Sequence, residues 1–160
     1  MRVEARLAEL GLVLPEPTRP RPGVRLPFSH VRVRGQRAFI AGHGPLNPDG
    51  SLAGPFGKVP SQVSPEQAYA SARLVCVAML GSLMRELGDL DRVSAWLRVF
   101  GMVNSTPEFD AQPAVINGCS DLLLELYGPE AGQHARSAVG LAALPFNIPV
   151  EIEAEVELGG

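Results

Sequence analysis

The chain has 160 residues, of which 46% are hydrophobic, 19% are charged and 6% are aromatic, a composition typical of one globular domain. A domain of this length buries roughly 68–70% of the surface of its unfolded chain, so it requires neither disulfides nor a structural metal. The formal net charge of −3 argues against an obligate nucleic-acid binder, because phosphate contacts require clustered cations.

The first segment of the chain predicts a helical arm and an extended linker. Met1 to Leu10 has the pattern of a short amphipathic helix, with Val3 and Leu7 on its apolar stripe. Four prolines then follow within eight residues, and each removes a backbone donor that regular structure requires. We therefore expect the arm to be an appendage that is dispensable for folding.

The same region bears on location and domain organisation. Met1 to Leu14 alternates charged residues with leucine, so it lacks the uninterrupted apolar core of a signal peptide. No stretch reaches the roughly 20 apolar residues of a membrane helix. The sequence predicts a cytoplasmic protein without a membrane segment, with the arm and Pro-rich linker over residues 1–27 and one domain over residues 28–160.

Alternating residues and turn signals predict a β-hairpin at the start of the domain. Val31 and Val33 alternate with polar residues, and the apolar run Ala38 to Ala41 follows a Gly-Gln turn. Asn47 to Gly50 has the composition of a further turn. The glycines around it match neither the dinucleotide fingerprint nor a P-loop, so phosphate binding is not expected there.

Two helices and a strand are predicted in the middle of the chain. Ser64 to Gln67 combines an N-cap serine, a proline at the first helical position and a capping-box glutamine, and Gly88 is suited to end the helix. Val93 to Met102 has the apolar character of a buried strand. Asp110 or Gln112 begins a second helix, which ends before Gly128.

The C-terminal region predicts two more strands. Ser137 to Leu144 precedes a proline-flanked loop, and Val150 to Leu158 alternates strictly between apolar residues and glutamates. The glutamate face is either solvated or lines a polar interior at a subunit interface, because like charges on one strand repel. The order ββαβαββ predicts an α+β sandwich with two helices packed on one mostly antiparallel sheet.

An arginine and a glutamate near the C-terminus are the strongest candidates for chemistry. Arg136 precedes the fourth strand, and Glu151 lies 15 residues later at the start of the fifth. If these strands form an antiparallel pair, both side chains lie at one end of the sheet. Arginine binds carboxylates with two parallel hydrogen bonds, and glutamate can hold and activate water. The alternative is a structural ion pair between Arg136 and Glu151.

Histidines and cysteines give no comparable signal. The three histidines, at positions 30, 43 and 134, have no ligand-like spacing, so no metal site is expected. Cys76 and Cys119 lie in apolar helical stretches, where we expect buried free thiols in a reduced compartment. Nucleophilic catalysis is unsupported, because neither cysteine has a neighbouring histidine in sequence.

Several segments between Phe28 and Leu158 together match one known family. They are Phe39 to Pro48, the helix from Pro65, Arg98 to Phe100 and, most specifically, Arg136 to Val139 with Leu144 to Ala154. On these segments the chain resembles the RidA family, also called the YjgF or endoribonuclease L-PSP family. The resemblance covers all but the arm and linker.

The resemblance implies a chorismate-mutase-like fold that assembles as a homotrimer with three clefts between subunits. It also implies hydrolysis of enamines and imines, such as 2-aminoacrylate, to a keto acid and ammonia without a cofactor. Arg136 would then bind the substrate carboxylate, Glu151 would position the attacking water and Asn117 would line the site. Backbone groups near Gly42 and Ala138 would orient the ligand.

The chain departs from the family pattern at three positions of the implied site. Phe28 stands where the deaminating members carry a tyrosine, Ala41 where they carry a serine and Ala138 where a cysteine is usual. The loss of two hydroxyls implies a different substrate preference, because unpaired polar groups discriminate strongly between ligands. His43 supplies a replacement polar group in one interpretation and is a solvated loop residue in the other.

Three functions remain open from the sequence. The first is an imine or enamine deaminase, or a related hydrolase, acting on a small carboxylate. The second is a non-catalytic module that binds a small acid in the same cleft. The third is RNA cleavage or translation inhibition, which only the arginine-rich N-terminal part favours, since the negative charge and the lack of clustered aromatic residues oppose nucleic-acid binding.

Overall fold

The computed structural model describes residues 2–160 and contains three helices and a five-stranded sheet. Two short 3₁₀ turns, Leu90–Arg92 and Pro145–Asn147, complete the structure. The elements are α1 (Arg2–Glu9), β1 (Val31–Arg34), β2 (Arg37–His43), α2 (Pro65–Leu87), β3 (Val93–Asn104), α3 (Gln112–Ala131), β4 (Ala135–Leu141) and β5 (Val150–Leu158).

The sheet has the strand order β1-β2-β5-β3-β4, in which β3 and β4 are parallel and the other neighbours are antiparallel. Helices α2 and α3 pack on one face of it, and α1 adds a third helix beside them. The predicted α+β, chorismate-mutase-like architecture is therefore confirmed. The expected hairpin of β4 and β5 is wrong, because β3 lies between these two strands.

The long helix α2 begins and ends where its sequence predicts. The Ser64 Oγ accepts a hydrogen bond from the Gln67 N–H at 3.1 Å, and the Gln67 side chain accepts one from the Ser64 N–H at 3.0 Å. Gly88 ends the helix in the left-handed conformation, with φ of 77°. By length and composition α2 resembles a membrane-spanning helix, but 67% of its apolar window is buried inside the fold, as in a core helix.

Close contact between α2 and α3 forms the centre of the core. A Cβ atom at Gly118 would overlap the carbonyl oxygen of Tyr69, so only glycine permits this approach of the two helices. Cys76 and Cys119 are fully buried free thiols, as predicted. Both belong to the main hydrophobic core.

The N-terminal helix α1 is packed on the body of the protein. Val3 and Leu7 are 0% and 3% exposed and belong to the main hydrophobic core. The Asp91 carboxylate caps the helix, accepting hydrogen bonds from the N–H groups of Arg2 at 2.6 Å and Val3 at 2.9 Å. These contacts correct the expectation of a dispensable appendage. That expectation rested on the prolines that follow the helix and did not include the surface on which the helix packs.

The linker is extended, as predicted, and it also lies against the domain. The Arg85 Nη1 donates to the Pro15 carbonyl at 2.9 Å, and the Glu16 N–H donates to the Pro48 carbonyl at 2.9 Å. A further bond joins the Arg19 N–H to the Gly50 carbonyl at 3.3 Å. The segment thus runs along the same side of the molecule as the turn at Asn47 to Gly50.

Truncating the buried arm is expected to destabilise the whole domain. Leu7→Ala should lower the free energy of unfolding by about 2–3 kcal/mol, because it removes a buried leucine side chain from the main core. Denaturant unfolding measures the change. Ala8→Ser, at an exposed position of the same helix, is the matched control and should cost only about 0.5 kcal/mol. If the Leu7→Ala variant and the unmodified chain have equal free energies of unfolding, the arm is dispensable for folding.

Candidate functional site

Arg136 and Glu151 lie on opposite faces of the sheet. Val99 in β3 pairs with Arg136 on one side and with Ala154 on the other, so these three side chains point toward the helices. Glu151 is three residues from Ala154 along β5 and therefore points to the other face, which we call the open face. The expectation that both side chains meet at one end of the sheet is wrong for a single chain.

Glu151 sits against the backbone of β2. The register between β2 and β5 shifts between Ile40 and His43, and Gly42 lies in this irregular stretch. A Cβ atom at position 42 would overlap the Glu151 carboxylate oxygen Oε2, so glycine leaves the space that the carboxylate occupies. Burial, followed by the neighbouring charge of Glu153, raises the pKa of Glu151.

A cavity of about 240 Å³ opens beside Glu151. It brings together four of the residues that the sequence singled out, and most of its other walls are apolar. The lining residues are Thr18, Leu26, Phe28, His30, Gly42, His43, Gly44, Leu46, Leu52, Pro145, Phe146, Ile148 and Glu151.

His43 belongs to strand β2 and is only 4% exposed, which corrects its assignment to a solvated loop. Its Nδ1 lies 2.5 Å from the Ala41 carbonyl oxygen and its Nε2 lies 2.8 Å from the Ser82 Oγ. Burial lowers the pKa of His43 to about 4, so the ring is neutral near pH 7. Since a carbonyl only accepts, Nδ1 carries the proton and Nε2 accepts the Ser82 hydroxyl.

Arg136 is held on the helix side by α3. Its Nη1 donates to the Asn117 Oδ1 at 2.8 Å and to the Ser120 Oγ at 3.1 Å, and its Nη2 donates to the Pro113 carbonyl at 3.5 Å. The predicted association of Arg136 with Asn117 is therefore present. Within residues 2–160 no carboxylate forms an ion pair with Arg136, so the alternative of a structural pair with Glu151 does not hold inside one chain.

Ala41 and Ala138 lie outside the cavity at Glu151. Ala41 lines a neighbouring cavity of about 250 Å³ on the open face, together with Arg32 and Arg98. Ala138 packs against the main core. The eight predicted site residues thus fall into a group around Glu151 and a group around Arg136, and in the first group the His43 ring points toward Ser82 of α2.

Two serines that the sequence analysis did not single out organise these groups. Ser82 connects His43 to Arg85, whose Nη2 donates to the Ser82 Oγ at 3.2 Å. Ser120 lies between Arg136 and the His134 Nε2, which is 2.9 Å from its Oγ. Both serines lie on buried faces of predicted helices. A hydroxyl on an apolar helix face was the feature of the sequence that could have indicated them.

One cluster of carboxylates among the described residues has the spacing of a metal site. It consists of Glu4, Asp89 and Asp91. The Glu4 Oε1 accepts from the Leu90 N–H at 3.0 Å, and Asp91 caps α1. These hydrogen bonds give the cluster a structural function at the junction of the arm and the domain.

Comparison with known proteins places the chain beside one family along nearly its whole length. A family model described as "YjgF/chorismate mutase-like, putative endoribonuclease" matches residues 4–155. Protein TCP17 of Trypanosoma cruzi is 38% identical over 157 residues, which cover 98% of this chain and 94% of that protein. This similarity extends through the N-terminal arm and linker.

Solved structures show the same relationship. The protein Atu1372 of Agrobacterium tumefaciens, whose function is unknown, is 36% identical, with a TM-score of 0.86 and coverage of 98% of this chain and 92% of its own. A "putative endoribonuclease" of Shewanella oneidensis is 28% identical, with a TM-score of 0.87 and coverage of 99% and 100%. Both similarities span the two residue groups described above.

Proposed function

Since the chain belongs to the YjgF/chorismate mutase-like family, we propose that it hydrolyses imines or enamines of small carboxylic acids in clefts between the subunits of a homotrimer. In this proposal Arg136 binds the substrate carboxylate and Glu151 activates water. The reaction needs no cofactor, because water is the only other reactant.

One observation carries the proposal: the guanidinium and the carboxylate lie on opposite faces of the sheet. A single chain cannot direct both groups at one small molecule. A second chain that places its Arg136 edge against the open face of the first would complete the site. Cyclic assembly of three chains would form three such sites, each with Arg136 from one subunit and Glu151 from the next.

The hydrogen bonds of Arg136 prepare it to bind a carboxylate. Asn117, Ser120 and the Pro113 carbonyl use three of its five N–H donors and hold the guanidinium plane in place. Among the described residues the Nε–H has no hydrogen-bond partner. Nε–H and the remaining Nη2–H form a fork that matches the two oxygens of a carboxylate.

Glu151 has the properties of a general base for water addition. Its raised pKa makes the carboxylate more basic than an exposed glutamate. Glu151 takes a proton from water while the water oxygen bonds to the C=N carbon of the imine. That proton passes to the nitrogen and gives a carbinolamine. Its hydroxyl proton is then transferred through Glu151 to the nitrogen as the C=O bond forms and the C–N bond breaks, and a 2-oxo acid and ammonia leave.

Replacing the proposed base tests the function directly. An amino-acid oxidase with catalase generates imines in situ, and the acceleration of their hydrolysis is measured with and without the protein. Glu151→Gln should reduce kcat about 100-fold or more while binding of 2-oxo acids persists. Glu157→Gln, at an exposed position on the same face of β5, is the matched control and should retain activity. Full activity of Glu151→Gln would remove the general base from the proposal.

The pH dependence gives a second test. The carboxylate of Glu151 must be ionised to accept a proton, so kcat/KM should fall as the pH falls through its raised pKa. Glu153→Gln removes the like charge that contributes to this rise, so the acid limb of the profile should move to lower pH. An acid limb that stays in place in this variant would contradict the assignment of that limb to Glu151.

RNA cleavage is a second candidate, favoured by the description of the matching family and by one patch of charge. Arg32, Arg34 and Arg37 are exposed, and the β1–β2 register puts them on the open face. Incubation of the protein with single-stranded RNA tests this activity. Cleavage that is lost in Arg32→Ala but retained in Glu151→Gln would favour RNA over imines. Tight binding of 2-oxo acids without hydrolysis of any imine would indicate a binding module instead.

A further inference from the structure

We propose that the cavity beside Glu151 is the subsite for an apolar side chain, so that the preferred substrates are imines of amino acids with apolar side chains larger than a methyl group. This inference rests on the proposed function, because it takes Glu151 as the group that directs water at the imine carbon.

The charges of the cavity exclude the carboxylate end of the substrate. No arginine or lysine is among its lining residues within the described chain, and Glu151 would repel a second carboxylate. The carboxylate must therefore lie outside, toward the Arg136 edge of a neighbouring subunit. The part of the molecule that enters the cavity is the side chain.

The histidines of the cavity offer no charge to a ligand. Both ring nitrogens of His43 are already engaged, by the Ala41 carbonyl and the Ser82 hydroxyl, so the ring presents an uncharged surface. Burial, with a smaller contribution from the charge of Arg85, lowers the pKa of His30, which favours its neutral form as well. Apart from Glu151, the Thr18 hydroxyl and the neutral His30 ring, the side chains that line the cavity are suited to hydrocarbon.

The remaining walls are apolar and come from distant parts of the chain. Leu46 and Ile148 are buried beneath the cavity, while Phe28 and Phe146 remain 53% and 45% exposed at its edge. Leu26 adds a wall from the linker. Exposed phenylalanines beside a cavity favour an apolar ligand, because a ligand that fills the cavity would remove them from water.

The linker also positions one of these walls. Arg21 places its guanidinium carbon 4.4 Å from the centre of the Phe146 ring, a cation–π contact that holds the ring at the edge of the cavity. Phe146 itself has a φ of 59°, in the left-handed region. The backbone at this residue therefore departs from the course of a regular helix or strand. The N-terminal region therefore contributes to specificity as well as to stability.

The volume sets the size of the side chain. A cavity of about 240 Å³ corresponds to the liquid volume of about eight water molecules at roughly 30 Å³ each. A methyl group would leave most of the apolar wall in contact with water. A branched aliphatic or aromatic side chain would displace that water and contact Leu26 and Phe28.

The test compares the imine of leucine with the imine of alanine, both generated by an amino-acid oxidase. We expect kcat/KM for the leucine imine to be about ten-fold or more above that for the alanine imine. Leu26→Ser and Phe28→Ser should each reduce this ratio several-fold. Phe56→Ser replaces an equally exposed phenylalanine outside the cavity and should leave the ratio unchanged.

The outcomes distinguish a failure of the subsite proposal from a failure of the proposed function. Hydrolysis of the alanine imine at least as fast as the leucine imine would overturn the subsite and leave the deaminase in place. If the protein accelerates the hydrolysis of neither imine over the rate in buffer, the proposed function fails. The subsite is then tested by the affinities of 2-oxo acids. Tighter binding of 4-methyl-2-oxopentanoate than of pyruvate, lost in Leu26→Ser, would then support the subsite, and equal affinities would overturn it.

Discussion

Replacing Arg136 with lysine is expected to abolish the binding of small carboxylates and leave the fold intact. Lysine carries the same charge, but a single ammonium group cannot contact Asn117, Ser120 and a carboxylate with the geometry of the planar fork. Each charge-assisted hydrogen bond contributes about 1.5–3 kcal/mol, so the loss of a two-point contact corresponds to a 100-fold or greater loss of affinity. Calorimetric titration with a 2-oxo acid measures it.

Thermal melting separates this loss from a loss of structure. Arg136 is only partly buried and forms no ion pair within the described chain, so its replacement strands no buried charge. The melting temperature should change little. Arg73→Lys, on the surface of α2, is the matched control for arginine content. Unchanged affinity in a folded Arg136→Lys protein would contradict the anchor, and unfolding of the variant would indicate a structural residue.

The second large effect is expected in assembly. Light scattering at micromolar concentration should give a mass of about 51 kDa, three times the chain mass of 17.0 kDa. The open face carries an apolar cluster that includes Met102, Leu144 and Ile148, with Phe100 and Val139 packed against it, and no helix covers this face within residues 2–160. Met102, Leu144 and Ile148 are buried within one chain, whereas Phe100 and Val139 remain partly exposed, and a second subunit on this face would remove them from water.

A charged residue introduced into this cluster should both dissociate the subunits and abolish hydrolysis. Val139 pairs with Met102, on the open face, so Val139→Arg would place a guanidinium in the expected interface. Val13→Arg, at a site that is 65% exposed, is the matched control and should keep both the mass and the activity. Active monomers of Val139→Arg, or a monomeric unmodified protein, would refute the shared site.

Local signals in the sequence were sufficient for most elements of the fold. The capping box at Ser64, the left-handed end at Gly88 and the alternation of β5 involve residues close together in the chain, and the structure confirms each of them. The same holds for the hairpin of β1 and β2, where a two-residue turn fixes the pairing. In these places periodicity and turn chemistry determine the structure directly.

The arrangement of strands in the sheet required information that periodicity lacks. Alternation shows which residues of β5 share a face, but it does not show which strand lies beside β5. The chain between β3 and β4 contains α3, which allows these two strands to be parallel. In the sheet β3 lies between β4 and β5. The positions of Arg136 and Glu151 on opposite faces follow from that pairing, and no spacing within the sequence indicates it.

The predictions for the arm and for the cavity were incomplete for a related reason. Val3 and Leu7 were recognised as an apolar stripe, but the surface that receives them is formed by residues far along the chain. The walls of the cavity at Glu151 likewise come from the linker, from β2 and from the turn at Pro145–Asn147. Residue types were visible in the sequence, whereas their assembly depends on tertiary packing.

The division of the two key residues between faces has a genetic consequence if the proposed trimer forms. Each chain would then serve two neighbouring sites, giving its Arg136 to one and its Glu151 to the other. In a trimer of mixed chains, a subunit defective in one residue would disable one site, and a subunit defective in both would disable two. Two alleles that are each inactive alone, one altered at Arg136 and the other at Glu151, would restore part of the activity when expressed in the same cell.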